Sequence, residues 1–301
     1  MAILLQTDLP LHLFQRGKVR DIYTLGDKLL VVSTDRISAF DSVLPCGIPG
    51  KGKVLNQLSA FWFEKTAYII PNHFIKLIDS DAVLNEVKKL SGCAEKLPHY
   101  LISRSMMVAK AKRIPVECIV RGYICGSAWQ EYKESGAIHG ILFPSGLREG
   151  QKLPHPIFTP TTKSDVEHDR PLTQEDIKSL GIKDLIAELE RKSLLIYQYA
   201  QNYAQGKGII IADTKFEFGF VDGELKLIDE LLTPDSSRFW DASQYRAQGI
   251  QVSFDKQPLR DWLLASGWNK EPPAPMLPPD IIEATAERYN KIYRLFTGKE
   301  L

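Results

Sequence analysis

Asp213, Lys215 and Glu217 stand at alternate positions of the segment Ile209-Ile-Ile-Ala-Asp-Thr-Lys-Phe-Glu-Phe-Gly-Phe220. Strand alternation sends them to one face and Phe216, Phe218 and Phe220 to the other. Three charges on one strand face require water or a ligand. The pair Asp222-Gly223 is a hairpin turn, and the returning run Leu225-Lys-Leu-Ile-Asp-Glu-Leu-Leu232 brings Asp229 and Glu230 back beside them. Glu217 with Asp229 could hold Mg²⁺, a hard ion that takes a few oxygen ligands plus phosphate oxygens, with Lys215 beside the same charge. A hairpin with one solvated face accounts for the same pattern. A plain two-residue turn would put Glu217 and Asp229 on opposite faces, so a shared metal site predicts an irregular turn or a bulge.

Four further clusters carry chemistry-bearing groups. Arg16-Gly-Lys-Val-Arg-Asp21 combines cations with a glycine that admits close backbone approach, which suits a polyphosphate under a strand-turn-strand flap; it lacks the Walker spacing, and a charged hairpin end explains it too. Thr34-Asp-Arg-Ile-Ser-Ala-Phe-Asp41 follows a buried strand, either as a ligand-contacting loop or as a turn capped by its own side chains. In Val116-Glu-Cys-Ile-Val-Arg-Gly-Tyr123 the charges Glu117 and Arg121 interrupt an apolar strand on one face, where they must be liganded or paired, with each other in the blander case. Thr233-Pro-Asp-Ser-Ser-Arg-Phe-Trp240 offers an arginine beside two serines, able to grip a phosphate or carboxylate, or else a capped turn packed down by Phe239 and Trp240. Thr161 to Asp169 adds a lysine, hydroxyls, acids and His168 in a segment that reads equally as a solvated loop.

The elements that must position these groups are legible in outline. Two strands meet at Gly26-Asp27, a helix over 54–69 ends before Pro71, and strands resume from Tyr100 to Tyr123, interrupted by Lys110-Ala-Lys-Arg113 and Pro115. That interruption is the expected crossing between an N-terminal unit, residues 1–112, and a C-terminal unit, residues 113–301. Residues 143–171 show little periodicity and read as a long loop. Thr173-Gln-Glu-Asp176 fits a capping box, a long helix is expected over 184–205, and two more helices over 259–266 and 279–296.

Composition bounds the function. The chain has 301 residues, 44% apolar and 25% charged, so it can bury a full core. Its 38 basic and 37 acidic side chains leave a net charge of +1, without a single-sign run for nucleic acid or a membrane surface. Cys46, Cys93, Cys118 and Cys125 lack metal-site spacing and read as free, mostly buried thiols. The start lacks a secretory pattern and no run of ~18 apolar residues occurs, so the cytoplasm is the expected compartment.

The strings RGKVRDIY, SAFD, IPVECIVRGY followed by GSAW, DTKFEFG and LLTPDSSRFWD resemble, in wording and in order, the phosphoribosylaminoimidazole-succinocarboxamide synthase (SAICAR synthetase) family. The resemblance runs from Arg16 to about Trp240. It implies an α+β fold of two lobes around an ATP cleft, the N-terminal antiparallel-sheet lobe similar to a kinase small lobe and the C-terminal lobe larger. It implies a ligase of purine biosynthesis that joins L-aspartate to 5-amino-1-(5-phospho-ribosyl)imidazole-4-carboxylate through an acyl phosphate, with ATP and Mg²⁺. By the same resemblance Arg16, Gly17, Lys18 and Arg20 cover ATP, and Lys110, Ala111, Lys112 and Arg113 border adenine. Glu217 and Asp229 hold Mg²⁺, Glu117 assists a second metal, and Lys215 and Asp213 are catalytic. Arg121, Ser127, Asp235 and Arg238 receive the phosphorylated imidazole, and Ser38, Asp41, Lys163 and Asp169 line the carboxylate and aspartate end. The expected partners are these small molecules, with neither nucleic acid nor membrane, and the chain is expected to act as a monomer. A small-molecule kinase and a nucleotide-responsive binding protein are the competing readings, separable by whether turnover needs aspartate.

Overall fold

The first sheet begins at β1 (Leu13–Arg16), turns through residues 17–19 into β2 (Arg20–Leu25), and turns again at Gly26-Asp27 into β3 (Lys28–Ser33). The computed structural model describes residues 2–92, 97–163, 170–248 and 251–301. A separate ribbon, β4 (Arg36–Ala39) with β5 (Ser42–Gly47), turns at Phe40 and Asp41, whose φ angles are 49° and 62°. Helix α1 (Lys51–Thr66) starts one turn earlier than expected and buries Val54, Leu55, Leu58, Trp62 and Phe63. After β6 (Phe74–Leu77) and α2 (Asp81–Ser91), β7 (Ser105–Ala109) completes an antiparallel sheet of order β1-β2-β3-β7-β6.

Lys110 and Ala111 carry the chain into the second sheet, whose first member is β8 (Lys112–Tyr123). Pro115, read from the sequence as part of the interruption, lies inside this strand. Its missing N–H coincides with a register shift, because three residues of β8 lie between Arg113 and Glu117 while one residue of the facing strand separates Gly219 from Glu217. Helix α3 (Ser127–Ser135) and a small hairpin, β9 (Ala137–Ile138) with β10 (Ile141–Leu142), follow.

The expectation of a long loop over 143–171 is corrected by β11 (Lys152–Phe158) and β12 (Thr161–Thr162), both paired with β8. Pro154 and Pro156 hid the first of these strands; the sheet tolerates them because β11 is an edge strand. Helix α4 (Gln174–Ser179) carries the expected capping box: the Asp176 N–H donates to Thr173 Oγ1 at 3.2 Å and the Thr173 N–H donates to Asp176 Oδ2 at 2.8 Å. Helix α5 (Lys183–Gln205) packs on the central strand β13 (Ile209–Val221). The remaining elements are β14 (Glu224–Ile228), β15 (Ser237–Asp241), α6 (Ala242–Gln248), α7 (Gln257–Ala265) and α8 (Pro279–Thr297).

The second sheet has the order β11-β8-β13-β14, with β12 on β8 and β15 on β13. One apolar cluster runs through both sheets, from Val31 and Val108 through Trp62 to Phe216, Phe218, Tyr197 and Phe296. The expected phenylalanine face of β13 is therefore the core face, with Phe216 and Phe218 fully buried and Phe220 partly so. Cys46, Cys118 and Cys125 are free and buried, and Cys93 lies outside the described residues.

Candidate active site

Strand β13 is 13 residues long because it has neighbours along its whole length: β8 on one edge, and on the other β15 opposite residues 209–214 and β14 opposite residues 217–221. Between the end of β14 and the start of β15 the chain leaves the sheet over residues 229–236. This excursion, the charged face of β13 and the first sheet enclose a cleft of about 960 Å³.

Its floor is an unusual pairing. Glu217 on β13 stands directly across from Glu117 on β8, both side chains almost fully buried, and like charges in that relation destabilise a sheet. Two lysines reconcile them. Lys163, which follows β12 and is anchored by its N–H to the Pro115 carbonyl, lies 2.5 Å from Glu117 Oε1 and 3.1 Å from Glu217 Oε1. Lys215 Nζ lies 2.7 Å from the same oxygen of Glu117. Burial opposes charge on Lys215, but Glu117 and Glu217 hold its ammonium above the usual range, so it is a fixed cation. Burial also opposes ionisation of Glu117, and the two lysines overcome it; at Glu217 burial and Asp229 together win, and its carboxyl titrates higher than usual.

The irregular turn expected between β13 and β14 is not found. Val221 pairs with Glu224 and Glu217 with Ile228 across a plain two-residue turn, with φ of 52° at Asp222 and 81° at Gly223. By parity alone Asp229 would face away from Glu217. It lines the same cleft instead, because β14 ends at Ile228 and Asp229 adopts a left-handed backbone of φ 71°, which re-aims its side chain. Aspartate is one of the few non-glycine residues that accepts this conformation readily. Burial disfavours its charge, yet Arg20, at 2.6 Å, holds its carboxyl well below the ordinary range.

The flap between β1 and β2 forms the opposite wall. Arg16, Gly17, Lys18 and Arg20 all line the cleft. Arg16 leans on Asp21 (3.1 Å) and the Thr7 carbonyl (2.9 Å), whereas Lys18 reaches Asp41 at 2.5 Å across the cleft mouth beside Ser38. Gly17 donates its N–H to the Arg20 carbonyl, and a Cβ at Gly17 would meet only that oxygen at 3.5 Å, so folding does not itself demand a glycine there. In the crossing, Ala111 and Arg113 face the cleft. Lys110 lies over the Phe14 ring (5.0 Å) and Lys112 is exposed, so alternate residues of that run point elsewhere.

Farther along the same face of β8 and β13 lies a second cluster. Asp213 Oδ2 accepts from Arg121 at 3.2 Å and from Arg238 at 2.5 Å, and Arg121 also donates to Ser127 Oγ (3.1 Å) and Thr159 Oγ1 (3.0 Å). Glu117 and Arg121 therefore pair with separate partners, not with each other. They stand four positions apart along the strand, a span of ~13 Å. Gly126, in the GSAW run, has φ 57°, and a Cβ there would lie 2.4 Å from an Arg238 nitrogen, so only glycine admits the guanidinium. Asp235 lines the cleft, bound to Lys51 Nζ at 2.7 Å and to the Tyr289 hydroxyl at 2.5 Å. Asp169, with His168, lies outside the described residues.

The model of the family described as SAICAR synthetase matches residues 13–275 of this chain. The chain belongs to the SAICAR synthetase family. The phosphoribosylaminoimidazole-succinocarboxamide synthase of Thermodesulfovibrio yellowstonii is 52% identical over 301 residues, 98% of this chain and 99% of that protein. A solved SAICAR-synthase from Saccharomyces cerevisiae, complexed with SAICAR, superposes with a TM-score of 0.81 at 41% identity, covering 99% of each chain. A solved SAICAR synthetase in complex with ADP gives a TM-score of 0.69 at 27% identity over 95% of this chain and 98% of that one.

This member of the SAICAR synthetase family also places in the cleft residues that sequence reasoning passed over or left without a role, among them Phe40, His73, Glu230, Lys256 and Arg260. His73 is a core histidine, lowered to about 4 by burial, that bonds the Asp229 backbone. Lys256 and Arg260 had a visible signal. They stand four apart at the start of a helix, and so share one of its faces. Among the described residues, no helix is long and apolar enough to cross a membrane.

Proposed function

We propose that the cleft performs the ATP-dependent ligation of L-aspartate to 5-amino-1-(5-phospho-ribosyl)imidazole-4-carboxylate, in two lobes divided at residues 112 and 113, as a cytoplasmic monomer. The observation that carries this reading is the convergence of two acids and three cations, Glu217 and Asp229 with Arg20, Lys163 and Lys215, in one cleft. A carboxylate is a poor electrophile. Its oxygen attacks the γ-phosphorus, the bond to the β-phosphate oxygen breaks, and ADP leaves; the aspartate amine then attacks the acyl carbon and phosphate departs.

The donor set suits Mg²⁺. Glu217 and Asp229 are hard oxygen donors, and burial together with the Asp229 charge already raises the proton affinity of Glu217, a strain that a divalent cation relieves. When bound there, Mg²⁺ would offset phosphate charge and orient the γ-phosphoryl group. Glu117 already serves two ammonium groups, and a second metal at Glu117 would have to displace one of them. Arg20 can pass from Asp229 to the polyphosphate with Arg16 and Lys18, while Ala111 and Arg113, flanked by Lys110 and Lys112, border the base. Lys215 and Lys163 stabilise charge on the transferring group. Arg121, Arg238 and Ser127, arrayed around Asp213, take the ribose phosphate, and Asp235 meets the same substrate from the cleft wall. Ser38, Asp41 and Asp169 belong to the aspartate end.

The decisive assay is ADP release with aspartate and the imidazole carboxylate supplied singly and together. Ligation requires both and yields a new amide. A stable phosphorylated product formed without aspartate would replace this reading with a kinase.

A further inference from the structure

Lys256 is a cation with no part in the steps above. It immediately precedes α7, in the N-cap position, and only 6% of it is exposed, yet it lines the cleft. Its ammonium lies 3.2 Å from the Ser38 carbonyl and 3.6 Å from Asp235 Oδ1. Asp235 has two further partners: Lys51 Nζ lies nearer to it, at 2.7 Å, and the Tyr289 hydroxyl donates to it at 2.5 Å. Lys51 and Tyr289 do not line the cleft, so of the two lysines on Asp235 the one open to substrate is also the more loosely held.

The position is wrong for a permanent cation. A helix N-terminus carries positive partial charge, which disfavours an ammonium there. The groups acting on Lys256 are Asp235 and Glu230 from the excursion after β14, Lys51 from α1 and Arg260 from α7. Burial is the largest effect; Arg260 and Lys51 add to it, Asp235 and Glu230 oppose it, and the ammonium comes down to about 8.

We propose that Lys256 accepts the proton from the aspartate amine as that amine attacks the acyl phosphate. This rests on the ligation reading above. The substrate arrives as an ammonium and has no lone pair to offer. Neutral Lys256 takes one N–H proton, and the freed pair on the substrate nitrogen forms the bond to the acyl carbon. The carbon–oxygen bond to phosphate breaks with its electrons on the phosphate oxygen. The second amine proton leaves with that phosphate, and Lys256 returns its proton to water through the cleft. No oxidant or further reactant is needed.

The test compares aspartate with hydroxylamine, an acceptor that is neutral near neutral pH and needs no base, by ADP release in the presence of the imidazole carboxylate. For the wild-type protein, the aspartate rate should rise relative to the hydroxylamine rate through pH about 8. That measurement needs no variant. In Lys256→Arg, which keeps the charge beside Asp235, the ratio of aspartate to hydroxylamine rate should fall by ~10²-fold near neutral pH, the scale of general-base catalysis, and recover as the solution becomes alkaline. A parallel fall in both rates would make Lys256 merely structural and overturn the proposal. A raised KM for aspartate with kcat and pH profile intact would overturn it in favour of a carboxylate anchor. If neither acceptor elicits ADP from the wild-type protein, the ligation reading fails, and the proposal with it.

Discussion

The flap at residues 16–20 and the charged face of β8 and β13 both offer cations to an anionic ligand, but they hold them differently. The side chains of Arg16 and Lys18 are 36% and 52% exposed; Arg16 reaches the Asp21 carboxylate and the Thr7 carbonyl, and Lys18 the Asp41 carboxylate. Those of Glu117, Glu217 and Asp213 are at most 7% exposed, and Glu117 and Asp213 each accept from two cations. Water screens the first set and lets it rearrange; the second is preorganised and remains strong because water is excluded. The contrast is between an exposed cationic cover and a buried ionic floor, and between them Arg20 and Asp229 join one region to the other.

Replacement of Asp229 tests that junction and should have the largest effect. Asp229→Asn is expected to lower turnover by roughly 10²–10³-fold with little change in melting temperature. Near-normal activity would remove Asp229 from any metal role. Arg238→Ala comes next, raising KM for the imidazole substrate by ~10–100-fold, the scale of a lost charged hydrogen bond, while KM for ATP stays within about twofold. An equal loss for both substrates would erase the distinction between the two ends of the ionic floor.

Lys163→Ala should cost about 1–3 kcal/mol of stability near neutral pH, because it strips a shared cation from facing acids. The sign of its pH dependence follows from Glu217, whose folded carboxyl titrates above its unfolded value. The folded protein then binds the extra proton between those values, so stability falls as pH rises through the folded pKa. The variant's deficit should therefore shrink on acidification, and a pH-independent deficit in thermal melts would contradict the account. Lys18→Ala should do least, changing stability by no more than ~1 kcal/mol and raising KM for ATP a few-fold, less at high salt. A loss as large as that of Asp229→Asn would mean that the flap is not the adaptable partner.

Much of the site was legible beforehand because strand parity is local. Asp213, Lys215 and Glu217 had to share a face, the phenylalanines had to take the other, and Glu117 had to be paired. Register arguments failed at Asp229 for an equally specific reason. Parity holds only while the strand lasts, and a left-handed residue one position beyond β14 reversed the outcome while the turn stayed regular. Proline and polar content likewise disguised β11, whose edge position makes both tolerable.

Residue order alone dictated the alternating faces, the Asp222-Gly223 turn, the Thr173 cap and the family motifs, since each depends on neighbours a few positions apart. The fold decided what lies far apart in sequence: that Glu117 faces Glu217, that Lys163 bridges them, that Arg20 reaches Asp229, and that Lys256 enters the cleft beside Ser38. Ionic interactions depend on distance and on the exclusion of water, and both are set only when the two sheets close over a common core.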